Sequence, residues 1–180
     1  GADDGVHVCD DAVKGSDCAA TARVVAAAVE KIGEFDLLIF GAETVDGNTA
    51  YVGPSVAERL GLPCVTFVSQ IEEVGEGKIT VRRIMEEGYD RIEMSLPAAI
   101  TVVKSINEPR ISSLKGKMKA KKFKPTVWTL GDLGMDAGQV GQDGSTSRVS
   151  STYPPEPRPS GQMLEGEPAE MAEQLYQALK

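Results

Sequence analysis

Asp36-Leu37-Leu38-Ile39-Phe40-Gly41-Ala42-Glu43-Thr44-Val45-Asp46-Gly47-Asn48-Thr49-Ala50-Tyr51-Val52-Gly53-Pro54-Ser55-Val56-Ala57-Glu58-Arg59-Leu60-Gly61 is the stretch that decides the fold. The apolar run Leu37 to Phe40 predicts a strand buried on both sides, as in a parallel sheet. A loop of small residues follows Gly41, and Pro54 opens a helix over Ser55 to Leu60 that Gly61 closes. Strand, glycine loop and helix start together can present free backbone N–H groups to an anion. The loop has neither a Walker lysine nor Gly-x-Gly-x-x-Gly spacing. It is therefore a phosphate cradle or a plain strand-to-helix connection, and the residues alone leave both open. If a cradle, the donors are the Thr49 hydroxyl and the N–H groups of Ala50 to Gly53. Asp46 is an awkward neighbour for a phosphate and instead organises the loop by accepting backbone N–H bonds.

Working outward toward the amino end, Val24, Val25, Ala28, Val29 and Ile32 recur at helical spacing between Asp17 and Gly33. Ser16 or Asp17 is the cap. Val6-His7-Val8-Cys9 reads as a short strand before it. The order strand, helix, strand, loop, helix predicts an open parallel sheet with helices on its faces. Toward the carboxyl end, Cys64 to Val68 is a further strand. Lys78 to Met85 and Tyr89 to Met94 flank Glu86-Glu87-Gly88 as a hairpin, and Ala98 to Val103 is another strand. These are read as antiparallel additions to a mostly parallel sheet. Residues from about Met135 to Gly161 are rich in Gly, Ser, Asp and Pro and read as an extended arm or linker. The chain closes with an amphipathic helix over Glu167 to Leu179, striped by Met171, Leu175, Ala178 and Leu179. So short a helix must dock on something. The expected domains are an α/β domain over 1–134 and an arm with a docking helix over 135–180.

Composition bounds the function. The 180 residues, 41% hydrophobic and 26% charged, suit one domain with a core and a tail. A net charge of -8 argues against nucleic-acid binding, and no apolar run is long enough to span a bilayer. Cys9, Cys18 and Cys64 are odd in number and lack metal-ligand spacing, which suits a reducing cytoplasm; cytoplasmic location is the expectation. His7 is the single histidine, so a metal role is not expected of it. Glu86 and Glu87 read as a solvated turn. No set of residues suggests a catalytic constellation. The lysine-rich run Lys115, Lys117, Lys119, Lys121, Lys122, Lys124 is either a solvated helix face or, beside Ile111 and Leu114, a docking surface.

Three motifs in order and at matching spacing carry a resemblance that covers essentially the whole chain. Asp36 to Ile39 with Val45 to Pro54 and Ala57 to Pro63 resembles the adenine-nucleotide loop of the electron transfer flavoprotein beta subunit. Ile106-Asn107-Glu108-Pro109-Arg110, Leu114 and Met118-Lys119-Ala120-Lys121-Lys122 resemble that family's recognition loop. Gly131-Asp132-Leu133-Gly134 resembles its downstream element. The resemblance implies a Rossmann-like fold of the adenine nucleotide hydrolase-like kind, paired with a flavin-carrying alpha subunit. The beta subunit would hold an adenine nucleotide through Asp46, Gly47, Asn48, Thr49, Ala50, Tyr51, Val52 and Gly53. It would dock an acyl-CoA dehydrogenase or quinone-reductase-type partner through Asn107, Glu108, Pro109, Arg110, Leu114, Met118 and Lys119.

Simple carriers of the family hold AMP, whereas electron-bifurcating members hold a second FAD in a loop like Asp-Gly-Asp-Thr-Ala-Gln-Val-Gly-Pro. The present loop resembles the second type, with Asn48 for the usual Asp and Tyr51 for the usual Gln. The resemblance thus favours FAD over AMP and bifurcation from NADH. It also places a first strand and a phosphate-side loop before Gly1, which would supply half of the pocket. The rival readings are a non-redox adenine-nucleotide sensor of the same fold and a structural subunit without nucleotide.

Overall fold

The first strand of the chain, β1 (Val6–Val8), leads into helix α1 (Cys18–Ile32) of a computed structural model that describes residues 2–158, 160, 161 and 163–180. Expectations that touch Gly1 and Pro159 lie outside the described residues. Asp17 is the cap of α1, its carboxylate accepting the Ala20 N–H at 2.8 Å. Gly33, at φ 97°, ends the helix in a conformation that favours glycine. Ala20, Ala22, Val24 and Ala26 are the buried residues of α1. Their small side chains allow it to lie close to its neighbours.

Strand β2 (Leu37–Gly41) follows, then helix α2 (Val52–Arg59) and the strands β3 (Cys64–Gly75), β4 (Lys78–Ile84), β5 (Tyr89–Ser95) and β6 (Ala98–Val102). They form one sheet in the order β2-β6-β3-β4-β5. β2, β6 and β3 run parallel, with Ile39 beside Ile100 and Ile100 beside Val65. β3, β4 and β5 run antiparallel. The architecture is a mostly parallel Rossmann-like α/β fold with an antiparallel addition formed by β4 and β5. β6, which its place after the hairpin assigned to that addition, is not part of it: it runs parallel between β2 and β3, and Ala98 to Thr101 are buried there. A last strand, β7 (Thr126–Trp128), pairs in parallel with β1 as a separate two-stranded sheet.

Three further differences from the sequence reading have physical causes. β2 pairs on one side only among the described residues, so Ile39 is 59% exposed where two-sided burial was expected. β3 runs past Val68 to Gly75, because residues from Gln70 onward alternate and pair with β4. Its turn is Glu76-Gly77, with Gly77 at φ 70°. The lysine-rich stretch is followed by β7, which no local pattern announces.

Among the described residues, three apolar clusters hold the first unit. Val65, Val68, Ile79, Val81, Met94, Ala98 and Ile100 pack on one face of the sheet. On the other, Ala22 and Ala26 of α1 and Val56 of α2 cover Leu38 and Phe40. Val24 meets Leu130 and Val140, with Val8 beside them. α1 therefore packs on β2 and also on the β1 side. The first compact unit extends from Gly1 to Arg148, and Val149 to Lys180 is a second unit. The boundary expected after Gly134 falls inside the first unit: Val140 is 1% exposed, and the short helix α4 (Gly141–Gly144) follows it. In the second unit, helix α5 (Pro168–Ala178) forms where the amphipathic stripe places it. Glu167 and Glu170 form a capping box, the Glu167 N–H donating to Glu170 Oε2 at 3.2 Å.

Candidate functional site

The loop between β2 and α2 leaves the carboxyl end of the parallel strands, where open α/β sheets receive ligands. Its path is set by local hydrogen bonds and by two residues in the left-handed region. The Asn48 N–H donates to the Thr44 carbonyl at 2.9 Å. Asn48 at φ 46° is an ordinary tenant of that region, whereas Ala50 at φ 50° carries a side chain there at a steric cost. The Asp46 carboxyl lies below its ordinary value, because the Thr44 hydroxyl and the N–H groups of Asp46 itself and Gly47 donate to it.

α2 begins at Val52, two residues ahead of Pro54, so the proline sits in the first turn and not at the first position. The fit is sound for the same reason, since no first-turn N–H has an intrahelical acceptor. Tyr51 precedes the helix without making a side-chain cap and is 48% exposed. The amides of Val52 and Gly53 open the first turn. Gly53 is buried, and a Cβ there would lie 2.8 Å from Thr101 Cγ2 and 3.2 Å from the Phe40 side chain. The helix start is thus seated on β2 and β6 by the absence of a side chain.

Thr101 is a residue of this region that no sequence pattern singles out. It is 1% exposed, and its hydroxyl accepts the Phe67 N–H at 3.1 Å. Phe67 stands at φ 55°, at the break in the β3–β6 register between Val65 and Val68. An aromatic residue in the left-handed region at the carboxyl end of a parallel strand is a strained feature beside the loop. Cys18, the first residue of α1, brings its Sγ within 3.5 Å of Thr49 Oγ1. The Asp17 cap is legible in the sequence, but this link across to the loop is not.

A concavity of about 650 Å³ lined by Gly33, Glu34, Phe35, Asp36 and Pro97 lies at the amino end of β2. That is the opposite end of the strand from the loop, and the wrong end for a ligand of a parallel sheet.

The second group of residues stands apart from the loop. A 3₁₀ turn over Lys104–Ile106 leads into Asn107-Glu108-Pro109-Arg110, which form no regular element, and helix α3 (Leu114–Lys122) follows. The Ser113 hydroxyl caps α3 by accepting the Gly116 N–H at 3.1 Å. No residue of α3 is buried. Ile111 is 95% exposed, Leu114 76% and Met118 56%. Leu114 and Met118 are four residues apart and share a helix face. Lys119, Lys121 and Lys122 fill the last turn, where positive charge suits the helix dipole. Downstream, the Asp132 carboxylate accepts both the N–H and the hydroxyl of Thr129 at 2.8 Å, so the Gly131–Leu133 turn is closed by its own residues. Those bonds hold the Asp132 carboxyl below its ordinary value. Among the described residues no cluster of His, Cys, Asp and Glu could hold a metal ion, and no helix is long and apolar enough to cross a membrane.

The fold and the loop define a Rossmann-like α/β domain with its candidate site at the carboxyl edge of the sheet. The electron transfer flavoprotein domain family matches residues 1–133. The electron transfer flavoprotein subunit beta of Thermoanaerobacterium thermosaccharolyticum is 36% identical over 180 residues, covering 99% of this chain and 68% of that protein. The caffeyl-CoA reductase-Etf complex subunit CarD of Acetobacterium woodii is 36% identical over 181 residues, covering 100% and 69%. The electron transfer flavoprotein subunit beta of Mycobacterium bovis is 39% identical over 179 residues, covering 99% and 66%. The chain belongs to the electron transfer flavoprotein beta-subunit family.

Proposed function

We propose that this chain is the subunit of a two-subunit electron carrier that holds an adenine nucleotide in the loop Asp46 to Gly53 and docks partner enzymes through Asn107 to Lys119. Membership of the family supports electron transfer and a flavin or nucleotide cofactor in general. The observation that carries the nucleotide reading is the division of labour in the loop. The Asn48 N–H closes the loop on the Thr44 carbonyl at 2.9 Å, while the first-turn amides of α2 have no intrahelical acceptor. The Thr49 hydroxyl and the N–H groups of Val52 and Gly53 are the groups that would hold a phosphate. Asn48 and Ala50 would fix the backbone so that these donors converge. The cofactor supplies the redox chemistry when bound, and the chain binds and orients it.

FAD is the favoured nucleotide and bifurcation from NADH the favoured mode, because the loop reads Asp46-Gly47-Asn48-Thr49-Ala50-Tyr51-Val52-Gly53-Pro54. AMP would make the chain part of a simple carrier. For docking, Leu114 and Met118 supply apolar area and the lysines of α3 steer an acidic surface. The enzymes docked would be an acyl-CoA dehydrogenase or a quinone reductase. α5 and the rest of the second unit would dock on the alpha subunit, and the complex would work in the cytoplasm.

The test is to co-express the chain with its alpha partner and count the nucleotides released on denaturation. Two FAD per heterodimer are expected. One FAD and one AMP would replace bifurcation by simple transfer. One FAD alone would refute the nucleotide role of the loop. Tyr51→Gln separates a loop blocked by the ring from a working one: a gain of nucleotide in that variant alone would mean that Tyr51 closes the site.

A further inference from the structure

Asp17 does more than cap a helix. One carboxylate oxygen accepts the Ala20 N–H at 2.8 Å, which is the whole requirement of an N-cap. The other oxygen accepts four further donors from a segment about 130 residues away. These are the N–H and hydroxyl of Thr146, both at 2.8 Å, and the N–H and hydroxyl of Ser147, at 3.0 and 3.2 Å. The Asp17 N–H in turn donates to the Ser145 hydroxyl at 2.8 Å. The neighbouring Ser16 hydroxyl accepts the Gly141 N–H at 2.8 Å, and Arg23 donates to the Gly144 carbonyl. The glycines complete the seat. A Cβ on Gly141 would stand 2.5 Å from the Ala12 carbonyl oxygen, and one on Gly144 would overlap Gln139. The residues fastened here are the last of the first unit, which ends at Arg148.

We propose that Asp17 is a positioning residue for subunit assembly: it locks Ser145 to Ser147 onto the start of α1 and so fixes the point from which the second unit departs. The inference rests on the reading that the second unit docks on the alpha subunit. Val149, Tyr153, Met163 and Leu179, each at least 80% exposed, are apolar groups of that unit that such docking would cover. A segment whose root is already ordered loses less freedom when it docks than one that leaves from a mobile root. A helix cap has no need of the second carboxylate oxygen, and a linker has no need of five hydrogen bonds to its first residues. The convergence of those donors also holds the Asp17 carboxyl far below its ordinary value, first through Ala20 and then through Thr146. It is therefore a fully charged acceptor at any pH at which the protein works.

Asp17→Ser separates the two roles, because serine caps a helix about as well as aspartate but cannot reach four further donors. Asp17→Asn is the second variant: it keeps one acceptor for Ala20 and turns an amide donor toward Thr146 and Ser147. The measurements are amide hydrogen exchange on the assembled complex and the dissociation constant of the chain for its alpha partner. In both variants, exchange at Thr146 and Ser147 should rise tenfold or more while the amides of α1 keep their protection, and partner binding should weaken by about tenfold. Unchanged exchange at Thr146 and Ser147 would overturn the lock. Faster exchange with partner binding unchanged within about twofold would overturn its role in assembly. A wild-type chain that does not bind the alpha subunit at all would refute the docking reading itself, and this inference with it.

Discussion

Replacing Gly53 by alanine tests whether the start of α2 is seated as the packing requires. The new Cβ would lie 2.8 Å from Thr101 Cγ2 and 3.2 Å from Phe40 Cβ and Cγ. Thr101 is 1% exposed in β6, between β2 and β3, and has no room to retreat. Phe40 is only half-buried and can yield a few tenths of an ångström. Overpacking of this kind costs about 1–3 kcal/mol. Alanine in place of glycine in a helix returns about 0.5–1 kcal/mol. The net expectation is a loss of about 1–2 kcal/mol, or roughly 3–6 °C in the thermal midpoint for a chain of this size. Thr101→Ser provides the control. It deletes Cγ2 alone and keeps the hydroxyl that accepts the Phe67 N–H at 3.1 Å. By itself it should cost about 1 kcal/mol for a lost buried methyl. The double variant should be no less stable than Thr101→Ser, giving a coupling of about 1–2 kcal/mol in the cycle. Thermal unfolding followed by circular dichroism reads all four proteins. If Gly53→Ala leaves the midpoint unchanged, or if Thr101→Ser fails to rescue it, α2 is not held as described. The same variant should lower nucleotide retention, because lifting the first turn moves the Val52 and Gly53 amides together.

Thr101→Val should be less stable than wild type by about 1–3 kcal/mol, since it strands the Phe67 N–H; denaturant unfolding of the two side by side reads the difference. Glu72 accepts hydrogen bonds from Arg82 at 2.6 and 3.0 Å and from Arg91 at 2.6 Å, bridging two arginines that face each other across β4 and β5. Those bonds, Arg91's first, hold its carboxyl below the ordinary 4.5, so its contribution is complete above about pH 4.5 and is lost as the pH falls through the depressed value. Glu72→Gln should therefore destabilise the chain at neutral pH and flatten its stability profile below pH 4.5; equal slopes for both proteins in acid would refute this. Leu114→Ala should leave the unfolding midpoint within about 0.5 kcal/mol of wild type, because Leu114 is 76% exposed. It should slow electron transfer to the docked dehydrogenase by about fivefold or more. Stopped-flow reduction of that partner checks it, and added salt should slow the wild-type reaction as the lysines of α3 are screened.

What the sequence discloses and what it hides divide along the range of the interactions. α1 is legible because each of its signals is local: Asp17 at one end, Gly33 at the other and apolar residues at helical spacing between. The same holds for β4 and β5, whose turn is Glu86-Glu87-Gly88, and for α5 with its capping box. The glycine loop is legible as a loop because the bond that closes it, from the Asn48 N–H to the Thr44 carbonyl, is local. The reason for Gly53 is not legible, since Thr101 is supplied by a strand that follows much later. β7 is three residues long and exists through β1, at the other end of the unit. The polar half of β3 exists through Arg82 and Arg91, which give Glu72 its partners.

Residues 135–148 carry the lesson furthest. Their glycines and serines give the composition of a linker, and composition cannot distinguish a chain that needs freedom from one that needs close approach. Here Gly141 and Gly144 admit backbone where a Cβ would collide, and Ser145, Thr146 and Ser147 spend their hydroxyls on Gly141 and Asp17. The small polar residues that suggest a loose segment are the ones that allow it to be fastened. The single acidic residue that fastens it looks, in the sequence, like nothing more than a helix cap.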